Sequence, residues 1–147
     1  MTDAAPPDAA LPDWPAGTVC VLATSGADGP HAIPVSTALR AGEKRIVLGG
    51  ARSRGSLERL RADPRVALTV MAAPDLGFTA HGTAHVVTDP LPGVEGVTGV
   101  EVQVDAVQRH ERPTFAIEAG VAWRWTDPAA QARDGVVRAA LLDLSAP

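Results

Sequence analysis

The stretch Gly49-Gly50-Ala51-Arg52-Ser53-Arg54-Gly55-Ser56 is the part of this chain best supplied with groups that hold an anion. Two guanidinium groups, two hydroxyls and a glycine-rich backbone precede a short helical pattern over residues 57–62. A guanidinium pairs two phosphate oxygens at once. The first N–H groups of a helix are unpaired and point at whatever lies before it. The chemistry implied is the gripping of a phosphate, with Arg52, Ser53, Arg54 and Ser56 as the side chains that do it. The plain alternative is a solvated, arginine-rich loop, and the residues alone leave both readings open.

Other residue types that do chemistry are sparse. His81 and His85 are four apart on an expected strand, so both fall on one face. They are about 13 Å apart along it, too far to share one small ion without a bend. The reading His-Gly-Thr-Ala-His also lacks the glutamate of a zinc-hydrolase helix. A single histidine ligating haem iron, or lining a cleft, is the more plausible use of either. His31 follows a Gly-Pro turn and His110 lies in a charged strand end, where solvated positions are expected. Trp123-Arg124-Trp125 puts two indoles on one side of an extended segment, as a packing or interface anchor or a wall against a ring. Cys20 is the single cysteine and sits in an apolar run, which reads as a buried hydrophobe. No Ser-His-Asp set or nucleophile elbow can be assembled from local motifs.

The elements that must position these groups are short. Strands are expected over residues 18–24, 31–39, 45–50, 65–73, 78–87 and 100–105, the last alternating strictly as Val-Glu-Val-Gln-Val-Asp. Turn chemistry in Ser25-Gly26-Ala27-Asp28-Gly29-Pro30 and Arg40-Ala41-Gly42-Glu43-Lys44 favours antiparallel hairpins. Ser53 or Ser56 is expected to cap the first helix, and Asp63-Pro64 to end it. Asp127-Pro128 starts a second helix, with Ala132, Val136, Ala140 and Leu144 at helical spacing, joined by Val137 and Leu141. Residues 1–13 read as a disordered tail and 14–147 as one domain. Six strands and two helices imply a mainly β protein, a small antiparallel barrel with helical trimmings. The Gly49-Gly50 pair does not make a dinucleotide fingerprint, because the third glycine is missing.

Composition narrows the function classes. A net charge of −4 and five aromatic residues (two Phe, three Trp, no Tyr) argue against nucleic acid as a partner. No run approaches the roughly 20 apolar residues of a membrane span, and the N-terminus lacks a signal-peptide pattern, so a cytoplasmic protein is expected.

The order of these strings resembles the pyridoxamine 5′-phosphate oxidase-like family, the FMN-binding split barrels. The resemblance covers roughly residues 15–110. It rests on the hairpin Ala23-Thr24-Ser25-Gly26-Ala27-Asp28-Gly29-Pro30-His31-Ala32-Ile33-Pro34-Val35, on Ile46-Val47-Leu48, and on Leu60-Arg61-Ala62-Asp63-Pro64-Arg65-Val66-Ala67-Leu68. It implies a six-stranded antiparallel split β-barrel with short helices and a C-terminal helix. It further implies a homodimer with FMN, or a deazaflavin, or less commonly haem, in a cleft between subunits. An oxidoreductase acting on a small molecule would follow, or a non-catalytic flavin- or haem-binding relative, or a cofactor-free dimer. The backbone around Pro34, Val35 and Ser36 and around Gly49 and Gly50 would then lie beside the ring and ribityl chain. The family's phosphate grip, Thr-x-x-x-Ser-Arg-Lys, falls here on Gly50, Arg54, Gly55 and Ser56, so all four identities differ. A glutamine that relatives carry before the strand glycine, here Gly82, is replaced by Gly77.

Overall fold

Tight turns set the architecture from its first hairpin. The computed structural model describes residues 10–51 and 55–147. Strands β1 (Cys20–Gly26) and β2 (Gly29–Val35) pair antiparallel, closed by the two-residue turn Ala27-Asp28. Gly29 adopts a φ of 109° there, a value side chains avoid. β3 (Leu39–Gly42) and β4 (Arg45–Ala51) form a second hairpin. Helix α1 (Ser56–Ala62) follows, then β5 (Arg65–Ala72), β6 (Leu76–Thr88) and β7 (Val97–Arg109), and finally helix α2 (Pro128–Leu144).

All neighbouring strands are antiparallel, in the order β2-β1-β5-β6-β7-β4-β3. The two edges of the sheet, β2 and β3, are consecutive in the chain and do not pair with each other. This is a mainly β split barrel, and its seam lies between β2 and β3. Pro30 and Pro34 sit on the β2 edge, where a missing N–H does not break an interior ladder.

The strand expected over residues 31–39 is two strands, so the barrel has seven rather than six. The break at Ser36–Ala38 is where the chain crosses from one sheet edge to the other. Thr37 marks the crossing: its hydroxyl accepts from the Gly49 N–H at 3.1 Å and donates to the Gly49 carbonyl at 3.2 Å. β6 and β7 are longer than expected, 13 residues each, and stay paired through register shifts at His81/Gly82 and Val86/Thr88. At the first of these, a Cβ on Gly82 would lie 2.0 Å from the Gln103 carbonyl oxygen. Only glycine fits there.

Alternation fills the interior. Val66, Leu68, Val70 and Ala72 of β5, Phe78 and Ala80 of β6, and Val100, Val102 and Val104 of β7 are buried. Trp14 closes one end, its ring 5.7 Å from that of Phe78 and its indole N–H on the Ala38 carbonyl at 3.0 Å. Leu11, expected in the tail, is buried as well, and its N–H bonds the Glu43 carbonyl at 2.8 Å. The packed chain therefore starts before Trp14, while the expectation for residues 1–9 lies outside the described residues. Cys20 is buried as its apolar run implies, and desolvation pushes its thiol up to about 12.

Helix α1 ends at Asp63 as expected, but its N-cap is Gly55, with no side-chain cap bond. Arg59 holds α1 against the β1–β2 turn through Asp28 at 3.0 Å. Helix α2 starts as the sequence implies, the Asp127 carboxylate accepting from the Ala129 N–H at 2.9 Å with Pro128 in the first turn. No described helix is long and apolar enough to cross a membrane.

Candidate functional site

Two adjoining clefts open at the seam. The inner one, about 340 Å³, lies between β2, the start of the seam crossing, the end of β4 and helix α1. Pro34, Val35, Ser36, Gly49 and Gly50 all line it. Residues far apart in the chain thus meet on one cleft. The outer cleft, about 630 Å³, lies between β4, residues 93–97 and the first half of α2. Thr37, Gly49, Ala51, Trp125 and Asp134 line both.

Gly49 and Gly50 are adjacent in the strand and serve different helices. A Cβ on Gly49 would come within 3.1 Å of Val97 and 3.5 Å of Val137, on the α2 side. One on Gly50 would come within 3.1 Å of Leu57 in α1. These glycines let two helices close on the end of β4, a packing reason that local sequence does not reveal.

The α2 side of the clefts is held by arginines. Arg45 donates to the Leu144 and Ser145 carbonyls at 2.9 and 3.2 Å, where the helix carbonyls lack partners. It also pairs with Glu101 at 2.9 Å. Arg138 donates to the Ser36 carbonyl at 2.9 Å, tying α2 across to the seam crossing. Its Nε bonds Asp134 at 2.7 Å, and the Trp125 indole N–H bonds the same carboxylate oxygen at 3.3 Å. The Asp134 carboxylate is therefore neutralised in place. The remaining nitrogen of Arg138, Nη2, is buried with no hydrogen-bond partner.

Trp125 packs edge-on to Trp123, their rings 5.4 Å apart, and Trp123 is anchored by its indole N–H on the Gly17 carbonyl at 2.9 Å. Trp125 thus serves as a cleft wall, one of the roles open to it from sequence, while Trp123 is the packing anchor. Asp134, Arg138 and Thr37 were missed. Only the Asp134/Arg138 spacing of four carried a signal, a helix-face ion pair.

The packed face of α2 differs from the expected one. Leu141 is buried and Val137 and Leu144 half-buried, whereas Ala132 is exposed and Val136 is 53% exposed. Val136 faces the outer cleft instead of the barrel.

The expected phosphate side chains Arg52, Ser53 and Arg54 lie outside the described residues, as does the side chain of Ser56. The histidines lie elsewhere. His81 and His85 are exposed on β6, and His81 approaches Gln108 at 3.4 Å. His110, expected to be solvated, is half-buried and bonds the Thr79 hydroxyl at 2.7 Å, which in turn bonds that of Thr69 at 2.7 Å. The Cβ direction of Gly77, the position of the family's glutamine, is filled by Ile117 at 2.6 Å.

A flavin-type ring needs flat apolar walls and backbone donors and acceptors at its rim. The inner cleft has both: Val35, Leu48 and Trp125 as walls, and the main chain of the β2 edge and of residues 36–37 and 49–50 at the rim. An edge strand leaves part of its backbone unpaired. The described residues fit the ring end of such a group.

The sequence matches the pyridoxamine 5′-phosphate oxidase family profile over residues 7–117. Solved structures of the same fold include HupZ from Group A Streptococcus (15% identity, TM-score 0.56, covering 71% of this chain and 90% of that one). An F420 reductase is similar at 18% identity and a TM-score of 0.54, covering 64% of this chain and 91% of that one. So is an FAD-binding protein from Mesorhizobium loti, at 12% identity and a TM-score of 0.51, covering 65% and 88%. Likeness at these identities is one of fold. No curated protein matches the sequence. Residues 118–147, which carry Trp125 and α2, lie beyond the family match. Over the split barrel itself, sequence profile and strand order agree, and the chain belongs to the pyridoxamine 5′-phosphate oxidase family.

Proposed function

We propose that this protein is a homodimeric oxidoreductase that binds a flavin-type cofactor, FMN or a deazaflavin, in the seam cleft. The observation that carries the reading is the convergence of Pro34, Val35, Ser36, Gly49 and Gly50 on one cleft in a member of this family. When bound, the cofactor supplies the hydride or electron chemistry. The chain's own residues bind and orient it. Val35, Leu48, Leu57 and Trp125 line the cleft with apolar and aromatic surface that would exclude water. The main chain of Ser36, Gly49 and Gly50 offers polar groups to the ring edge. Arg52, Ser53, Arg54 and Ser56 are our candidates for the phosphate. Asp134, ion-paired with Arg138, is the charged side chain among the described inner-cleft residues, and it holds the Trp125 indole N–H in place.

Dimerisation draws support from exposed apolar side chains. Val21, Met71, Val121 and Trp123 are between 40 and 65% exposed. The first two share the outer face of the β1–β5 pair, and the segment carrying the others crosses beside Met71 at Gly120 and reaches Gly17 through Trp123. Clustered apolar exposure of this kind marks an interaction surface.

Titration of the purified protein with FMN and with a deazaflavin, followed by absorbance and fluorescence, tests the reading. Saturable uptake of one of them at one per chain, with reduction of the bound ring by a nicotinamide or chemical reductant, is expected. Failure to take up either would overturn it. Uptake of haem in preference to both would favour a different use of the fold; among the described residues, the clefts are lined by no His, Cys or Met that could ligate its iron.

A further inference from the structure

We infer that the outer cleft is a second binding site, for an uncharged and largely apolar organic molecule, built by the C-terminal segment that lies beyond the family match. As the substrate site of a redox reaction it rests on the cofactor reading above; as a binding site it stands on the following observations.

The first is its size and lining. A volume of about 630 Å³ falls in the range of small-molecule sites. The walls are Val94, Val97, Ala130, Val136, Val137 and one face of Trp125. Val136 is 53% exposed although Val137, Leu141 and Leu144 on the same helix pack inward. A β-branched residue that neither packs nor favours a helix is well placed for contact with a ligand.

Charge is the second observation. The cleft carries one carboxylate at Glu95, one guanidinium at Arg133, and Asp134, whose charge is already matched by Arg138. The formal charges of the wall with Arg138 cancel, so the cleft presents no surplus of either sign to offset the water an ionic ligand would lose. A neutral molecule suffers no such loss. Thr37 and the Gly49 main chain offer it polar contacts at the inner end.

Third, both walls are held in place without a ligand. The loop wall is fixed by Leu91, which is fully buried and whose N–H bonds the Val97 carbonyl at 2.8 Å, and by the Val94 N–H on the Leu91 carbonyl at 2.9 Å. The helix wall is fixed at Asp127, Arg138 and Arg45. A cleft kept open by its supports is pre-organised for binding. Its shared wall of Thr37, Gly49, Ala51, Trp125 and Asp134 puts an occupant directly beside the inner cleft.

The test uses the full chain and the uncharged fluorescent probe N-phenyl-1-naphthylamine, with its sulfonated relative 8-anilinonaphthalene-1-sulfonate as the charged comparison. Saturable binding of the neutral probe at one per chain is expected, at least fivefold tighter than the sulfonate. Val136→Glu and Ala130→Trp, which charge and fill the outer cleft, should weaken it at least tenfold. Leu142→Glu, on an exposed position of α2 away from the cleft, should leave it within twofold. FMN and deazaflavin uptake by Val136→Glu should stay within threefold of the parent. Probe affinity unchanged in both cleft variants would overturn the inference, as would a parent chain that binds no neutral probe. A dimer that dissociates on Val136→Glu, read by sedimentation, would also overturn it, because the cleft would then be an interface between copies. If the probe results hold and the parent takes up neither cofactor, the cofactor reading fails and the binding site stands.

Discussion

The two walls of the seam clefts are built on different principles. The barrel wall, residues 33–37 and 48–51, is a main-chain wall: ladder pairing and the Thr37–Gly49 contacts place it, and none of its side chains carries a charge. The helix wall, Trp125 and the first half of α2, is a side-chain wall held by an aspartate, two arginines and a cap. A main-chain wall tolerates sequence change, because its polar groups belong to every residue type. This explains how the chain departs from the family's usual phosphate residues and still folds as a family member. The side-chain wall depends on a few identities, and it belongs to the segment beyond the family match.

The largest effect on both walls is expected from Gly82→Ala. Its Cβ would strike the Gln103 backbone, which cannot move without opening the β6–β7 pairing. Chemical denaturation should show a loss of about 3 kcal/mol or outright failure to fold, and both walls should be lost together.

Arg138→Ala should separate the walls. It leaves Asp134 without its charge partner and α2 without its tie to Ser36, at a cost of about 1–2 kcal/mol for a partly buried pair. Hydrogen exchange should quicken in residues 128–144 while β5, β6 and β7 keep their protection. Equal quickening across the barrel would mean that the helix wall is not a separate unit. Asp127→Ala should have a smaller effect on the same helix, about 1 kcal/mol from the lost cap, confined to its first turn.

The smallest effect concerns Glu111, where the chain leaves the barrel. The Arg109 side chain donates to its carboxylate and holds it down at about 2, from an ordinary value of 4.5. The stabilisation is complete above pH 4.5 and is lost as pH falls from there through 2. Urea midpoints of the parent should therefore fall over that window more than those of Glu111→Gln. Parallel curves would show that the pair adds nothing.

Much of the barrel wall was legible in the sequence because its signals are local. Period-two runs such as Val100, Val102 and Val104, the Gly26–Gly29 turn, and the proline after Asp63 act within a few residues. The break at Ser36–Ala38 was not, because nothing local marks the place where a curling sheet brings its edges together. The α2 stripe was drawn too wide for a related reason: Val137, Ala140, Leu141 and Leu144 turn inward, whereas Ala132 and Val136 do not. Val136 and Val137 look alike in sequence, and only the position of the barrel decides which of them packs. Gly49 and Gly50 were read for backbone approach to a ligand, and the structure adds that each also leaves room for a helix, which no local signal shows. His110 was read as solvated because its partner Thr79, and the Thr69 hydroxyl that Thr79 bonds in turn, come from other strands.

On the proposed function, the seam cleft between the two walls is where a flavin-type ligand binds. Hydrogen exchange of the full chain with and without saturating FMN, and again with a deazaflavin, tests it most directly. Slower exchange in residues 33–37 and 48–51, together with the Trp125–Asp134 region, is the result predicted for the ligand that binds. Protection confined to the exposed face of β6 around His81 and His85, or no protection with either ligand, would contradict it.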